Sequence, residues 1–380
     1  MIDVYLLSVL AFVAVVAYLI WRDRKHIEWS YGVLFMRRTE RFKALIGAIA
    51  NVSPRAWKVI STMAVFVCFG AMAYGLWLIF GVAANVAAGL IHVPGLQFIL
   101  PTYSAVGTSG PGYILIPFWF WLITIAAILV PHELSHGIIT RAEKLRLKSV
   151  GLLLFAIFPG AFVEPDEKHL KRAPLISRLR VYAAGSFANF TVAAVILVLS
   201  MFIIWPSVAA PGVTLLDVNS TGPAGIAGLK TGMALDTVNG MPITTSYSEY
   251  MSGSGYLYEE IGYPSPNTTL VFGSEGNTYP VTLELQNNRT YMGIVYLPNM
   301  HMDALFFLST IAPLLTMLWL FSFAVGLFNI LPIYPLDGGL MIDAIVQKGS
   351  KKYGKRIMQI ISFAVLLLII YVFVGPLLHW

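Results

Sequence analysis

The segment Pro131-His132-Glu133-Leu134-Ser135-His136-Gly137 closes a long apolar run and puts three ionisable side chains into five residues. On a helix, residues four apart share a face, so His132 and His136 project their imidazoles side by side, about 6 Å apart along the axis. Two neutral ring nitrogens at that spacing can share a tetrahedral Zn²⁺, with Glu133 beside the metal rather than on it. The chemistry on offer is a water activated at neutral pH next to a carboxylate that can take its proton. Within a membrane each ionisable group costs about 2.5–3.5 kcal/mol, which argues against packing as the reason for all three. The alternative is a polar helix end at the membrane interface beside a basic loop.

Zinc needs a third protein ligand and an open position. Asn329-Ile330-Leu331-Pro332-Ile333-Tyr334-Pro335-Leu336-Asp337-Gly338-Gly339 ends another apolar run. Pro332 and Pro335 interrupt the helix there, and the paired glycines permit close backbone approach, so Asp337 can be aimed inward as a carboxylate ligand. The competing role is a cap for a helix starting near Gly338. Glu143, Glu164, Asp166, His169 and Asp343 are rival ligands without that Pro-and-Gly framing. A third polar feature, Ala184-Gly185-Ser186-Phe187-Ala188-Asn189, lies early in its own apolar run. Asn189 either serves the site or hydrogen-bonds a neighbouring helix, and Gly185 permits close packing.

The elements that must position these residues are membrane spans. Of 380 residues, 57% are hydrophobic and only 12% charged, roughly half the charge of soluble chains. Apolar runs near 5–21, 59–93, 113–131, 181–205, 304–333 and 357–378 predict six spanning helices. The 59–93 run reads either as one long helix or as a span plus a re-entrant stretch. The first run is expected to be a span rather than a signal peptide, because Asp3 leads it and Trp21-Arg22-Asp23-Arg24 follows. Cys68, the single cysteine, lies inside a run and reads as a small packing residue.

Charge sets the expected orientation. Of 25 Lys and Arg residues, nine lie in 22–58, nine in 141–180 and five in 344–356. Two spans separate each basic segment from the next, so six spans bring all three to one face. Positive-inside asymmetry makes that face cytoplasmic and puts both termini and segment 206–303 outside. A net charge of +6 distributed in this way is a topology and lipid-headgroup signal and excludes a nucleic-acid footprint.

Between the spans, 22–58 reads as a polar cytoplasmic connection in which Ser53-Pro54 opens a helix. The charge-free 94–112 stretch reads as an extracytoplasmic loop. Segment 145–166 reads as a hairpin dipping toward the membrane: one run Leu152–Phe158, a break at Pro159-Gly160, and a second run Ala161–Val163. Its alternative is a half-helix under the bundle. Segment 206–302, with seven acids against two bases and Gly-Pro, Asn-Gly and Ser-Gly turns, reads as a small soluble domain. Three sequons in this outward segment, at Asn219, Asn267 and Asn288, are compatible with glycosylation.

HELSHG, AGSFAN and NILPIYPLDGG, in this order and each at a helix end or start, resemble the core of the site-two protease family of intramembrane metalloproteases. The match covers roughly 113–206 and 303–345. The resemblance implies that His132, His136 and Asp337 ligate one Zn²⁺, that Glu133 is the general base, and that Asn189 steadies the substrate carbonyl or oxyanion. It also implies that the hairpin near 147–163 is the family's membrane-embedded strand element, able to pair with an extended substrate. One departure is Ser186, where many relatives carry proline. In the insert, Val213 to Val218, Gly222-Pro223-Ala224, Ala227-Gly228-Leu229, Gly232 and Val238-Asn239-Gly240 resemble a protease-associated PDZ domain. Met233 stands where relatives often have aspartate and is expected at the surface. Such a domain captures a peptide terminus or acts as a steric gate.

The expected fold is an all-α polytopic membrane protein of about six transmembrane helices, with a membrane-associated β-hairpin and an inserted small α+β PDZ-like domain. Its parts are an N-terminal transmembrane region (1–111), a first catalytic core segment (112–206), the extracytoplasmic domain (207–302), a second core segment (303–345) and a C-terminal helix (346–380). The implied activity is zinc-dependent hydrolysis of peptide bonds of single-span membrane substrates, within or next to the lipid bilayer of the cell membrane, with the site toward the cytoplasm and no nucleic-acid partner. Two other readings stay open: a catalytically inactive scaffold and a membrane metal transporter.

Overall fold

The computed structural model describes residues 4–30, 34–91, 98–104, 107–110, 113–155, 158–205, 209–244, 264–286, 289–300, 311–350 and 352–378. The Asn288 sequon, parts of the 94–112 loop and the first residues of the 304–333 run lie outside the described residues. The chain divides into two compact units, Met1–Ala194 with Met317–Trp380, and Val195–Thr316.

The first unit opens with α1 (Val4–Arg22), followed by the paired strands β1 (Ile27–Ser30) and β2 (Leu34–Arg38), then α2 (Glu40–Val52) and α3 (Pro54–Ala87). A small sheet of β3 (Phe98–Thr102), β4 (Thr108–Gly110) and β5 (Tyr113–Pro117) leads into α4 (Phe118–Ala142). Strands β6 (Leu147–Phe155) and β7 (Phe158–Pro165), helix α5 (Glu167–Arg172) and helix α6 (Leu175–Leu199) follow. Among the described residues, six helices are long and apolar enough to cross a membrane: α1, α3, α4, α6 with its continuation to Ile204, and two in the later chain described below. The 59–93 question resolves in favour of one helix of 34 residues, with Pro54 in its first turn and the Ser53 hydroxyl accepting the Ala56 N–H.

Within this unit the core gathers Ala64, Val65, Cys68 and Met72 of α3, Ile139 of α4, Leu179 to Ala184 of α6, and Ile330, Met341 and Ala344 of the later chain. Cys68 is a buried packing residue, its thiol against the Ala183 carbonyl at 3.5 Å. Helix α1 behaves differently: Val9 is its one buried residue, and Leu7, Leu10 and Val13 face outward, as suits a lipid-facing helix.

The hairpin expected at 145–166 is present, and the register corrects it. Pro159 and Gly160 do not make the turn. They lie within β7, opposite Leu154 and Leu153. A Cβ on Gly160 would meet Leu153 Cδ1 at 2.6 Å, so the glycine serves cross-strand contact, and Pro159 is tolerated because β7 is an edge strand. The sheet is also wider than expected. The connection read as merely polar supplies β1 and β2, giving the order β1-β2-β6-β7. Amphipathic α2 then packs buried Ile46 on Leu147 and Val150 of β6.

The later chain contributes α8 (Ala312–Asn329), α9 (Asp337–Gly349) and α10 (Gly354–Val374), of which α8 and α10 complete the six membrane-length helices. The second unit holds β8 (Ala209–Val218), the short helix α7 (Pro223–Ile226), and strands β9 (Ala234–Leu235), β10 (Thr237–Val238), β11 (Met241–Pro242), β12 (Thr269–Ser274), β13 (Asn277–Thr282), β14 (Glu284–Gln286), β15 (Arg289–Tyr291) and β16 (Ile294–Met300). These form sheets ordered β16-β8-β9 and β11-β10-β12-β13 and the pair β14-β15, around Val213, Leu215, Leu235, Phe272 and Leu283. Asn239 and Gly240, at φ 50° and 77°, make the tight turn their sequence predicts between β10 and β11. Met233 departs from expectation: it is half-buried against this core, and its sulfur accepts the Lys230 N–H.

Candidate metal centre

Helix α4 carries His132, Glu133 and His136 in register, and a lower layer of contacts fixes its position. A Cβ on Gly137 would meet Ile46 Cδ1 at 2.9 Å, so the glycine after His136 lets α2 press directly on this helix. At the helix end, buried Glu143 takes Arg180 at 2.8 Å and the Ser177 hydroxyl at 2.7 Å from α6, with Lys58 of α3 at 3.8 Å. The Arg180 Nε donates to Thr62 Oγ1 at 2.9 Å, so one polar cluster joins α3, α4 and α6.

Asp337 arrives from the far end of the chain. Helix α8 stops at Asn329, and α9 starts at Asp337 itself, so the aspartate opens the helix and faces the histidines at once. The two glycines are obligatory. A Cβ on Gly338 would lie 1.7 Å from the Ile330 carbonyl oxygen, and one on Gly339 would lie 2.3 Å from that of Ile333. No side chain fits between α9 and the folded-back 330–334 backbone.

The three groups converge. His132 Nε2 and His136 Nε2 are 3.3 Å apart, His132 Nε2 is 3.5 Å from Asp337 Oδ2, and His136 Nε2 is 3.4 Å from Asp337 Oδ1. Donors about 2.0–2.1 Å from a tetrahedral ion stand about 3.3–3.4 Å from one another. The histidine–carboxylate separations are long for hydrogen bonds; they run to different carboxylate oxygens, one facing each imidazole, and bring all three groups within reach of one ion. Among the described residues, these three form the one cluster of metal-binding side chains.

Helix α6 supplies what holds each of the three groups. His136 Nδ1–H donates to the Val181 carbonyl at 2.7 Å, which leaves Nε2 bare toward the centre. The Ser186 hydroxyl donates to Asp337 Oδ2 at 2.9 Å. Asn189, fully buried, sets its amide 3.1 Å from His132 Nδ1, and its Oδ1 has no hydrogen-bond partner among the described residues. Turning that amide over lets Oδ1 accept Nδ1–H and leaves His132 Nε2 bare as well. Gly185 stands over the centre: a Cβ there would meet His136 Nε2 at 2.3 Å and His132 Nε2 at 2.5 Å. Two imidazoles, one carboxylate, an orphaned buried amide oxygen and a glycine cradle fit a zinc ion with one side left open.

Glu133 is not in the ligand cluster. Its Oε2 accepts the Val163 N–H of edge strand β7 at 3.0 Å, so the carboxylate beside the ligands is anchored to the hairpin. The rival ligands lie elsewhere. Glu164 pairs with Lys148 and Ser149, which hold its carboxyl below the usual range, and Asp166 caps α5 by accepting the Lys168 and His169 N–H groups. Asp343 binds the Gln347 amide, Glu143 sits in the buried cluster, and His169 lies in α5 outside the ligand group. Sequence reading missed Val163, Val181 and the Glu143 cluster; the sole signal for the last was an acid at the end of an apolar helix followed by basic residues.

The centre opens into a cavity of 1010 Å³ lined by His132, Glu133, His136 and Asp337, with Lys171, Arg178 and Lys355 among its polar residues and Ile333, Met358 and Phe363 among its apolar ones.

Six membrane-length helices, together with a two-histidine, one-aspartate centre built from α4 and α9 and held by α6, suit an integral-membrane metallopeptidase. Residues 120–372 match the model of Peptidase family M50, and the chain belongs to that family. With membership comes the coarse assignment: a multi-pass membrane metalloprotease, of a kind that is generally zinc-dependent. A membrane-bound transcription factor site-2 protease homolog of Arabidopsis thaliana is 26% identical over 196 residues, 45% of this chain and 36% of that protein. An uncharacterized protein of Methanocaldococcus jannaschii is 25% identical over 391 residues, 97% of both chains.

Proposed function

We propose that this protein is a zinc endopeptidase that hydrolyses peptide bonds of single-span membrane proteins within or next to the bilayer. One observation carries the reading: Glu133 is placed beside the ligand cluster, outside it, and anchored to an edge strand. A scaffold has no use for a base in that position. Bound by His132, His136 and Asp337, a zinc ion would supply an acidified water and an electrophile for the substrate carbonyl. Glu133 takes the proton of the attacking water and returns it to the leaving amide nitrogen. Asn189 orients His132, and we assign its other amide atom to the substrate carbonyl oxygen. A helical substrate has to unwind to expose a peptide bond, and the edge strand β7 offers backbone groups, beyond the Val163 N–H held by Glu133, for replacement hydrogen bonds.

In this reading the basic segments are cytoplasmic, and the cavity residues Lys171, Arg178 and Lys355 belong to them, which favours water entry from that face. The 207–302 domain within the Val195–Thr316 unit is extracytoplasmic and PDZ-like. Support comes from its β8 strand, the Pro223-initiated helix, Gly228 and Gly232 at φ 92° and 88°, and the Asn239-Gly240 turn. It takes a substrate terminus or gates access.

The test is cleavage of a transmembrane peptide in liposomes, alongside zinc quantification, for wild type and Glu133→Gln. The proposal expects zinc retained and cleavage lost in the variant. Full cleavage by Glu133→Gln defeats it; absence of zinc in the wild type favours a scaffold, and zinc flux without proteolysis favours a transporter.

A further inference from the structure

Ser186 is completely buried, yet its hydroxyl does not turn back to its own helix, as serines inside helices commonly do. It reaches a residue 151 positions further on and donates to Asp337 Oδ2 at 2.9 Å. Oδ1 of the same carboxylate faces His136 Nε2 at 3.4 Å, and Oδ2 itself faces His132 Nε2 at 3.5 Å. We propose that Ser186 is a positioning residue for the metal ligand Asp337: its hydroxyl fixes the rotation of the carboxylate, so that each oxygen stays turned toward one imidazole.

Three features of the site support this. Val181, Ser186 and Asn189 each contact a different ligand, and all three lie on α6, so Ser186 completes a set rather than standing alone. Asp337 occupies the first turn of α9, and among the described residues no side chain caps that end, so the Ser186 hydroxyl and the two facing imidazoles are what hold its carboxylate. A carboxylate free to rotate would lose the match of its two oxygens to the two imidazoles. Partners of this kind commonly change metal affinity by about 10–100-fold.

The inference rests on the zinc-centre reading, and the experiment separates the two. The full-length protein in detergent, stripped and titrated with Zn²⁺ against a chelator, gives dissociation constants for wild type, Ser186→Ala and Ser186→Thr, and thermal unfolding of the metal-free forms reports folding. The expected result is affinity weakened by about tenfold or more in Ser186→Ala, recovery in Ser186→Thr, and the same metal-free unfolding temperature in both as in wild type. In an Asp337→Ala background, Ser186→Ala should have no further effect. Unchanged zinc affinity in Ser186→Ala overturns the proposal, as does an equal loss of metal-free stability, which would make the hydroxyl merely structural. A wild type that binds no zinc would remove the zinc centre itself.

Discussion

Glu133 Oε2 and the Val163 N–H are joined at 3.0 Å across 30 residues of chain, so the carboxylate beside the two-histidine, one-aspartate cluster and the edge strand of the hairpin form one unit. Glutamine preserves an acceptor for that N–H and loses only the capacity to take a proton. Glu133→Gln should therefore leave zinc content and unfolding temperature at wild-type values while turnover falls about 10²–10⁴-fold. Single-turnover cleavage of a model transmembrane peptide measures it.

Gly185 is the most exacting position around the centre. A methyl group there would lie against both Nε2 atoms, at 2.3 and 2.5 Å, and α6 is too tightly buried to withdraw. Gly185→Ala should abolish stoichiometric zinc binding, because the imidazoles must swing off their shared point. Elemental analysis of purified protein checks this, with circular dichroism expected to report unchanged helix content.

Glu143 tests the foundation under α4. Its carboxylate is 4% exposed and serves Arg180, Ser177 and Lys58 together. Glu143→Ala should destabilise the fold by about 3 kcal/mol, because removing one partner of a buried pair strands the others. Thermal unfolding in detergent at neutral pH is the measurement; a shift no larger than for an exposed surface control would show the cluster to be inert.

The hairpin should weaken in acid. Lys148 and Ser149 hold Glu164 below its ordinary value of 4.5. A depressed carboxylate contributes stability that is fully present above that ordinary value and is lost as pH falls through the lower folded value. Protection of β6 and β7 amides against hydrogen exchange, corrected for intrinsic rate, should drop in wild type as the pH is taken below that ordinary value, whereas Glu164→Gln should be flat. A wild-type profile as flat as the variant's would contradict the assignment.

Local signals made much of this protein legible in advance. A spanning helix announces itself by length and apolarity because lipid leaves the backbone no other partner, so all six helices were visible. The Ser53-Pro54 helix start and the Asn239-Gly240 turn are equally local, since each follows from the φ and donor properties of two residues. What resisted reading was cross-strand geometry. Pro159-Gly160 carries a turn signature, yet both residues lie in β7, because the register opposite Leu153 and Leu154 decided their place. Residues 34–38 gave no sign of joining β6, since strand partners are chosen by tertiary contact.

The metal site divides along the same line. Helical periodicity alone puts His132 and His136 on one face with Glu133 beside them, and two prolines with two glycines alone mark Asp337 as a residue with a special backbone around it. That the three meet within 3.3 to 3.5 Å follows only from the packing of α3, α4, α6 and α9. The roles of Val181, Ser186 and Asn189 are tertiary too. A carbonyl, a hydroxyl and an amide on one apolar helix carry no label for their partners until the neighbouring helices bring a ligand within hydrogen-bond reach.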